Sequence, residues 1–260
     1  MSGAFRHPLR IGLRLGLFLG INSAGLVDHL WRLRRVGKGS DPRSCAHWLQ
    51  RWSRNTLRGI GIQYSHQGRV PTHGLIVSNH LGYLDIPVLA TTGPMVFVSK
   101  ADVERWPFLG SLARCGGTLF LKREQRSHVA EIADSFAPIV EGGTVVAIFP
   151  EGTSSGGDTI LPFRSSLLQP AASHRWPVTP AWISYELEPG DGAVADDVAY
   201  WREMTFAPHF AKLLSKRVIR ARVRYGEPIE GVDDRKVLTA RLYEAVCALK
   251  AEGDRERAAR

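Results

Sequence analysis

Cysteine is scarce in this chain of 260 residues, and Cys45, Cys115 and Cys247 lie far apart. They form neither a disulfide framework nor a cysteine-rich zinc cluster, which points to a reducing compartment. Also missing is an uninterrupted apolar run of about 20 residues, the usual length of a bilayer crossing. There is no P-loop. Helix-turn-helix, zinc-finger and RNA-binding signatures are absent too, so nothing points to nucleic acid. No small-residue cleavage site precedes a neutral mature start, which argues against a signal peptide. Internal repeats and low-complexity linkers are likewise lacking. Moderate Gly and Pro beside 44% hydrophobic residues exclude a disordered or collagenous chain. The length supports one sizeable core.

Acidic residues are nearly absent from the N-terminal fifth. Residues 1–60 hold 11 basic side chains and only Asp28 and Asp41, so this segment carries the whole formal charge of +9. The same fifth contains LGLFLGINSAGLV at 15–27, bounded by Arg14 and Asp28. Thirteen residues are short for a span. An amphipathic or shallowly inserted helix, flanked by arginines that meet anionic headgroups, is the expected form. A single crossing is less favoured, and a soluble helix packed on its own domain is the bland alternative. Residues 44–58 predict a second helix, with Trp48, Leu49 and Trp52 on one side and Arg51, Arg54 and Arg58 around the rest. Tryptophan beside arginine suits the headgroup level, and a core-facing helix suits it almost equally.

From about residue 70 the pattern changes. Short β-rich runs occur at 75–78, 95–98, 118–121, 145–149 and 178–183, with helical patterns between them, the clearest at 127–141. This predicts an α/β domain with a mixed, largely parallel central sheet flanked by helices. The run VIRARVRY at 218–225 alternates apolar residues with Arg220, Arg222 and Arg224, so one strand face is cationic. Solubility explains it, and attraction to an anionic partner is the sharper alternative. A final helix is expected at 235–250. The expected organisation is a membrane-associating helical region at 1–60, the α/β domain at 61–250 and a charged, frayed tail at 251–260. Removal of residues 1–35 is expected to leave the catalytic fold largely intact.

Three places carry residues suited to chemistry. In SNHLGYLD, at 78–85, His80 and Asp85 sit where a strand ends. If the turn leads into a short helix, the carboxylate fixes one ring nitrogen and frees the other to take a proton from a hydroxyl. In VVAIFPEGTSSGG, at 145–157, a buried strand delivers Glu151, Gly152 and Thr153 into a loop of small residues. Gly152 allows a positive φ or a close backbone approach. In TLFLKR, at 118–123, a strand delivers Lys122 and Arg123, suited to a phosphate. Each also has a plain structural reading as a capped loop, a turn or a surface pair.

Together these blocks resemble the glycerolipid acyltransferase family. Its Asn-His…Asp block matches Asn79, His80 and Asp85. Its strand ending in a basic residue matches Gly117, Phe120 and Arg123, with Lys122 where an acid is more usual. Phe149 through Ser154 match its Phe-Pro-Glu-Gly-Thr block, and Val178, Thr179 and Pro180 match its fourth. Phe163 and Arg164 keep part of a Phe-Lys-x-Gly sequence, while Ser165 and Ser166 depart from it. The resemblance implies acyl transfer, without an acyl-enzyme, from acyl-CoA or acyl-acyl-carrier-protein to the hydroxyl of 1-acyl-sn-glycerol 3-phosphate. His80 is then the general base, oriented by Asp85, with Asn79 or backbone amides facing the oxyanion. Lys122, Arg123 and Arg164 hold the acceptor phosphate, and Glu151, Gly152 and Thr153 shape its site. No metal or cofactor is implied. The implied partners are an anionic membrane surface at the cytoplasmic face, a lyso-phospholipid and acyl carrier protein. The departures leave room for lyso-ornithine lipid, another lysophospholipid or glycerol 3-phosphate as acceptor. An inactive lipid-binding protein of the same fold and a hydrolase are the readings outside this class.

Overall fold

The runs LIVS and VVAI are buried at every residue, as is the first four-fifths of VTPAWISYEL. Continuous burial of this kind marks strands covered on both faces. In a computed structural model describing residues 7–36, 41–106, 109–121 and 135–259, they form the middle of a seven-stranded sheet. The strands are β1 (Ile62–Gln67), β2 (Leu75–Ser78), β3 (Met95–Lys100), β4 (Leu119–Leu121), β5 (Val145–Ile148), β6 (Val178–Leu187) and β7 (Ile219–Tyr225). Their order is β1-β7-β6-β2-β5-β3-β4, and every pairing is parallel except β6 with β7. The mixed, largely parallel sheet expected from the sequence is therefore present. Because β2 and β5 are parallel neighbours, the loops that follow them open side by side on one edge. Ligand sites of open α/β sheets form at such an edge.

Helices cover both faces. On one side α2 (Pro42–Gly59) and α3 (Asp85–Thr92) join a core that contains Leu57, Val88, Leu89, Phe97 and Leu213. On the other, the C-terminal helix α4 (Arg235–Ala258) packs Leu238, Leu242 and Val246 against Leu75, Val146 and Val178. The helix expected at 127–141 is described only as 135–141, and residues 127–134 lie outside the described residues. The 251–260 segment does not fray where it is described: α4 runs on to Ala258. Gly253 sits under the Trp182 ring, where any side chain would collide. Asp254 pairs with Lys250 and Arg257, while Glu252 and Glu256 pair with Arg224. The cationic face of β7 is likewise neutralised, since Arg220 meets Glu188 and Arg222 meets Glu186 on antiparallel β6. Its arginines serve the fold.

The N-terminal fifth is not a separate layer. Helix α1 (Pro8–Val36) lies along the domain, with Phe18 against Phe210 and Ile21 over Gly59. Trp48 donates to the Gly25 carbonyl and Trp52 to Asn22, so these tryptophans hold α1 instead of facing headgroups. Arg10 and Arg14 also point inward. Arg10 donates to the Ser215 carbonyl, and Arg14 donates to those of Leu214, Lys216 and Arg217. These carbonyls end or follow the helix Phe206–Ser215, where a cation complements the helix dipole. Removing residues 1–35 would thus uncover core, contrary to expectation. The opposite side of α1 bears Leu9, Leu13, Leu19, Val27, Leu30 and Trp31, all exposed. By length and composition, Pro8–Trp31 is apolar enough to cross a membrane, yet its inward side is committed to protein.

Candidate active site

β2 ends at Ser78, but β6 continues, and the Asn79 side chain takes over the pairing. Its Nδ2 donates to the Ile183 carbonyl at 3.0 Å, and its Oδ1 accepts from the Ile183 N–H at 2.8 Å. A carboxamide thereby imitates a peptide unit, which lets the main chain leave the sheet without orphaning the β6 backbone. Asn79 is buried and does not line the cavity beside it. Its sequence-based assignment to oxyanion or substrate thus meets a side chain already engaged on both polar atoms.

The next residues build a dyad. Asp85 is the first residue of α3, and its carboxylate turns back over residues 80–82. His80 Nδ1–H donates to Asp85 Oδ2 at 2.7 Å, and the N–H groups of Leu81 and Gly82 donate to the same oxygen at 2.6 and 2.9 Å. That fixes the tautomer and leaves Nε2 as the basic nitrogen. The imidazole stacks on Phe149 from the loop after β5, with centroids 4.2 Å apart. Asp85 is wholly buried, while about a fifth of the His80 side chain is exposed to the cavity. A base held by a buried carboxylate and open on its other side is equipped to deprotonate a bound hydroxyl.

Glu151 is also buried. Its Oε1 accepts the His80 main-chain N–H at 3.1 Å. Burial pushes this carboxyl up to about 8, against hydrogen bonds from His80 and Leu161 that lower it and the nearby Asp85 charge that raises it further. It ties the loop after β5 to the loop after β2 and does not line the cavity. Gly152 adopts φ 74° and lines it, as does the exposed Thr153. Ser154 donates to the Tyr200 carbonyl, and the Ser155 N–H donates to the His80 carbonyl. Arg164 is exposed, bonds through its N–H to the Pro150 carbonyl, and is not among the lining residues. Lys122 and Arg123 lie outside the described residues.

The cavity has a volume of about 240 Å³, with His80, Gly152, Thr153 and Tyr200 on its walls. Its described walls carry no lysine, arginine or acid. Tyr83, Ile86, Ser99, Val103 and Trp106 also border a second, apolar chamber of about 110 Å³ lined by Phe18, Leu57, Leu112 and Phe210 among others. Sequence reasoning missed Tyr83 and Tyr185. Tyr83 donates to His209 Nδ1 at 2.9 Å in the wall between the two spaces, since His209 Nε2–H is given to the Ala199 carbonyl. The Tyr185 phenol donates to Asp85 Oδ1 at 2.7 Å. Tyr83 lies inside the first motif and was legible as a neighbour. Tyr185 carries no local signal.

A histidine–carboxylate pair at the edge of a mostly parallel sheet, beside an apolar chamber, is suited to general-base chemistry next to an apolar substrate. The acyltransferase family model matches residues 61–184. The chain is 36% identical over 195 residues to a lyso-ornithine lipid O-acyltransferase of Rhodobacter capsulatus, covering 72% of this chain and 70% of that protein. It is 26% identical to a 1-acyl-sn-glycerol-3-phosphate acyltransferase of Neisseria meningitidis, covering 82% and 85%. Its fold is similar to that of the acyltransferase PlsC from Thermotoga maritima, with a TM-score of 0.64 at 18% identity, over 94% of this chain and 98% of that one. The chain belongs to the lysophospholipid acyltransferase family. Its apolar N-terminal helix and its lipid-acylating relatives point to membrane association.

Proposed function

We propose that the protein acylates the free hydroxyl of lyso-ornithine lipid, using a fatty acyl thioester as donor. The observation that carries the chemistry is the His80–Asp85 pair, 2.7 Å apart, beside a cavity that adjoins an apolar chamber. His80 Nε2 takes the hydroxyl proton as the oxygen attacks the thioester carbon. An ester C–O bond forms, the C–S bond breaks, and the proton passes from His80 to the departing thiolate. Asp85 keeps the imidazole oriented and balances its charge throughout. The donor's acyl chain occupies the chamber beyond Tyr83, and acyl-CoA and acyl-acyl-carrier-protein both present the same thioester there.

The Rhodobacter capsulatus relative supports the ornithine-headed acceptor. The second reading, 1-acyl-sn-glycerol 3-phosphate, draws on the Neisseria meningitidis relative and on Lys122 and Arg123, which follow Leu121 in the sequence. The exposed leucine side of α1 rests on the cytoplasmic face of the membrane as a peripheral or shallowly inserted element. An acceptor panel with one radiolabelled acyl-CoA tests the assignment. Lyso-ornithine lipid is expected to be labelled fastest, and preferential labelling of 1-acyl-sn-glycerol 3-phosphate would replace it by the second reading.

A further inference from the structure

The Asp85 carboxylate is held from behind as well as by the imidazole. Its Oδ2 collects His80 Nδ1–H and the Leu81 and Gly82 amides, while Oδ1 takes the phenol of Tyr185 at 2.7 Å. Asp85 and Tyr185 are both buried. Burial, followed by the Asp85 charge and the hydrogen bond to it, drives the phenol well above its ordinary value, so it remains a donor across the working pH range. Two residues earlier on β6, Ile183 clamps Asn79. One short stretch of β6 therefore fixes both ends of the loop that carries His80.

We propose that Tyr185 is a positioning residue for acyl transfer, setting how strongly the Asp85 carboxylate holds the His80 imidazolium. This rests on the reading of His80 as general base. A carboxylate whose charge is shared with a phenol and two amides orients the ring without claiming its proton. Without the phenol, buried Oδ1 has lost its donor, more negative charge bears on the imidazole, and the protonated dyad is favoured. The titrating pair then gives less free base at neutral pH. Among the described residues, other titratable groups facing the dyad are Tyr83 from its own loop and Glu151 from the loop after β5, and both remain when Tyr185 is changed.

The test compares pH profiles of kcat/KM for the full-length protein, Tyr185→Phe, Tyr185→3-fluorotyrosine and His80→Ala, with thermal stability followed in parallel. Y185F is expected to lose about tenfold in kcat/KM at neutral pH, mainly through kcat, consistent with loss of one hydrogen bond to a charged group. Its acid limb moves to higher pH. The fluorinated phenol is a stronger donor of nearly the same size, so its limb moves to lower pH. If Y185F does not fold, the fluorinated protein alone decides by the direction of its shift. Acid limbs that stay in place in the variants that fold, whatever their activity, would overturn the role of Tyr185. An active H80A protein would instead overturn the dyad reading beneath it.

Discussion

Glu151→Gln isolates the cost of keeping a carboxyl under the active-site loop. The carboxyl titrates near 8 in the fold against an ordinary value of 4.5, chiefly because it is buried. The folded protein therefore holds a proton that the unfolded chain releases between those two values, and stability falls as pH rises through that window. A displacement of this size corresponds to at most about 5 kcal/mol, or on the order of 10 °C in Tm for a chain of this length. Glutamine keeps an acceptor for the His80 amide and has no proton to lose. The difference in Tm between E151Q and the parent should thus be small at pH 5, grow in favour of E151Q towards pH 8, and level off above it. Differential scanning fluorimetry of the full chain in a mild detergent across that range makes the measurement. A difference in Tm that does not change between pH 5 and 8 would refute the reasoning.

Other expectations concern the N-terminal helix and the chamber. Leu9 and Leu13 are 90% and 66% exposed, so replacing both by Glu should weaken sedimentation with vesicles while leaving Tm nearly unchanged; equal sedimentation would remove this side of α1 from the membrane contact. Arg14→Ala removes donors to three main-chain carbonyls at the end of the helix Phe206–Ser215 and should cost about 1–2 kcal/mol in denaturant unfolding; an unchanged midpoint would mean that this contact is idle. Ala113 lines the apolar chamber, and a phenyl ring there takes up much of its roughly 110 Å³. Ala113→Phe should shift donor preference towards shorter acyl chains in a competition assay, and an unmoved preference would place the chain elsewhere.

The central strands were legible because their residues are apolar at every position, and a fully buried strand looks that way in sequence. β1 was not, because IQYSHQ lies at the sheet edge with only Ile62 buried, and its polarity resembles a loop. The end of α4 was misjudged for a related reason. Its charges read as a solvated tail, but their partners lie on β7, whose own arginines looked like an unpaired cationic face. Local spacing placed His80 opposite Asp85 correctly, since a five-residue turn brings them together. The engagement of Asn79 by Ile183 and of Asp85 by Tyr185 spans about a hundred residues and depends on β6 lying beside β2. The arginines flanking the N-terminal apolar run, Arg14 among them, were expected at anionic headgroups for want of the same information.

The most direct measurement of the account is release of CoA thiol and formation of labelled diacyl product by the full chain, with and without His80→Ala. The reaction mixture holds lyso-ornithine lipid and a radiolabelled acyl-CoA. General-base catalysis contributes about 10²–10⁴ in rate, so a folded H80A protein should turn over at least about a hundredfold more slowly, with thiol and ester lost together. Near-parental turnover by that protein would contradict the central claim.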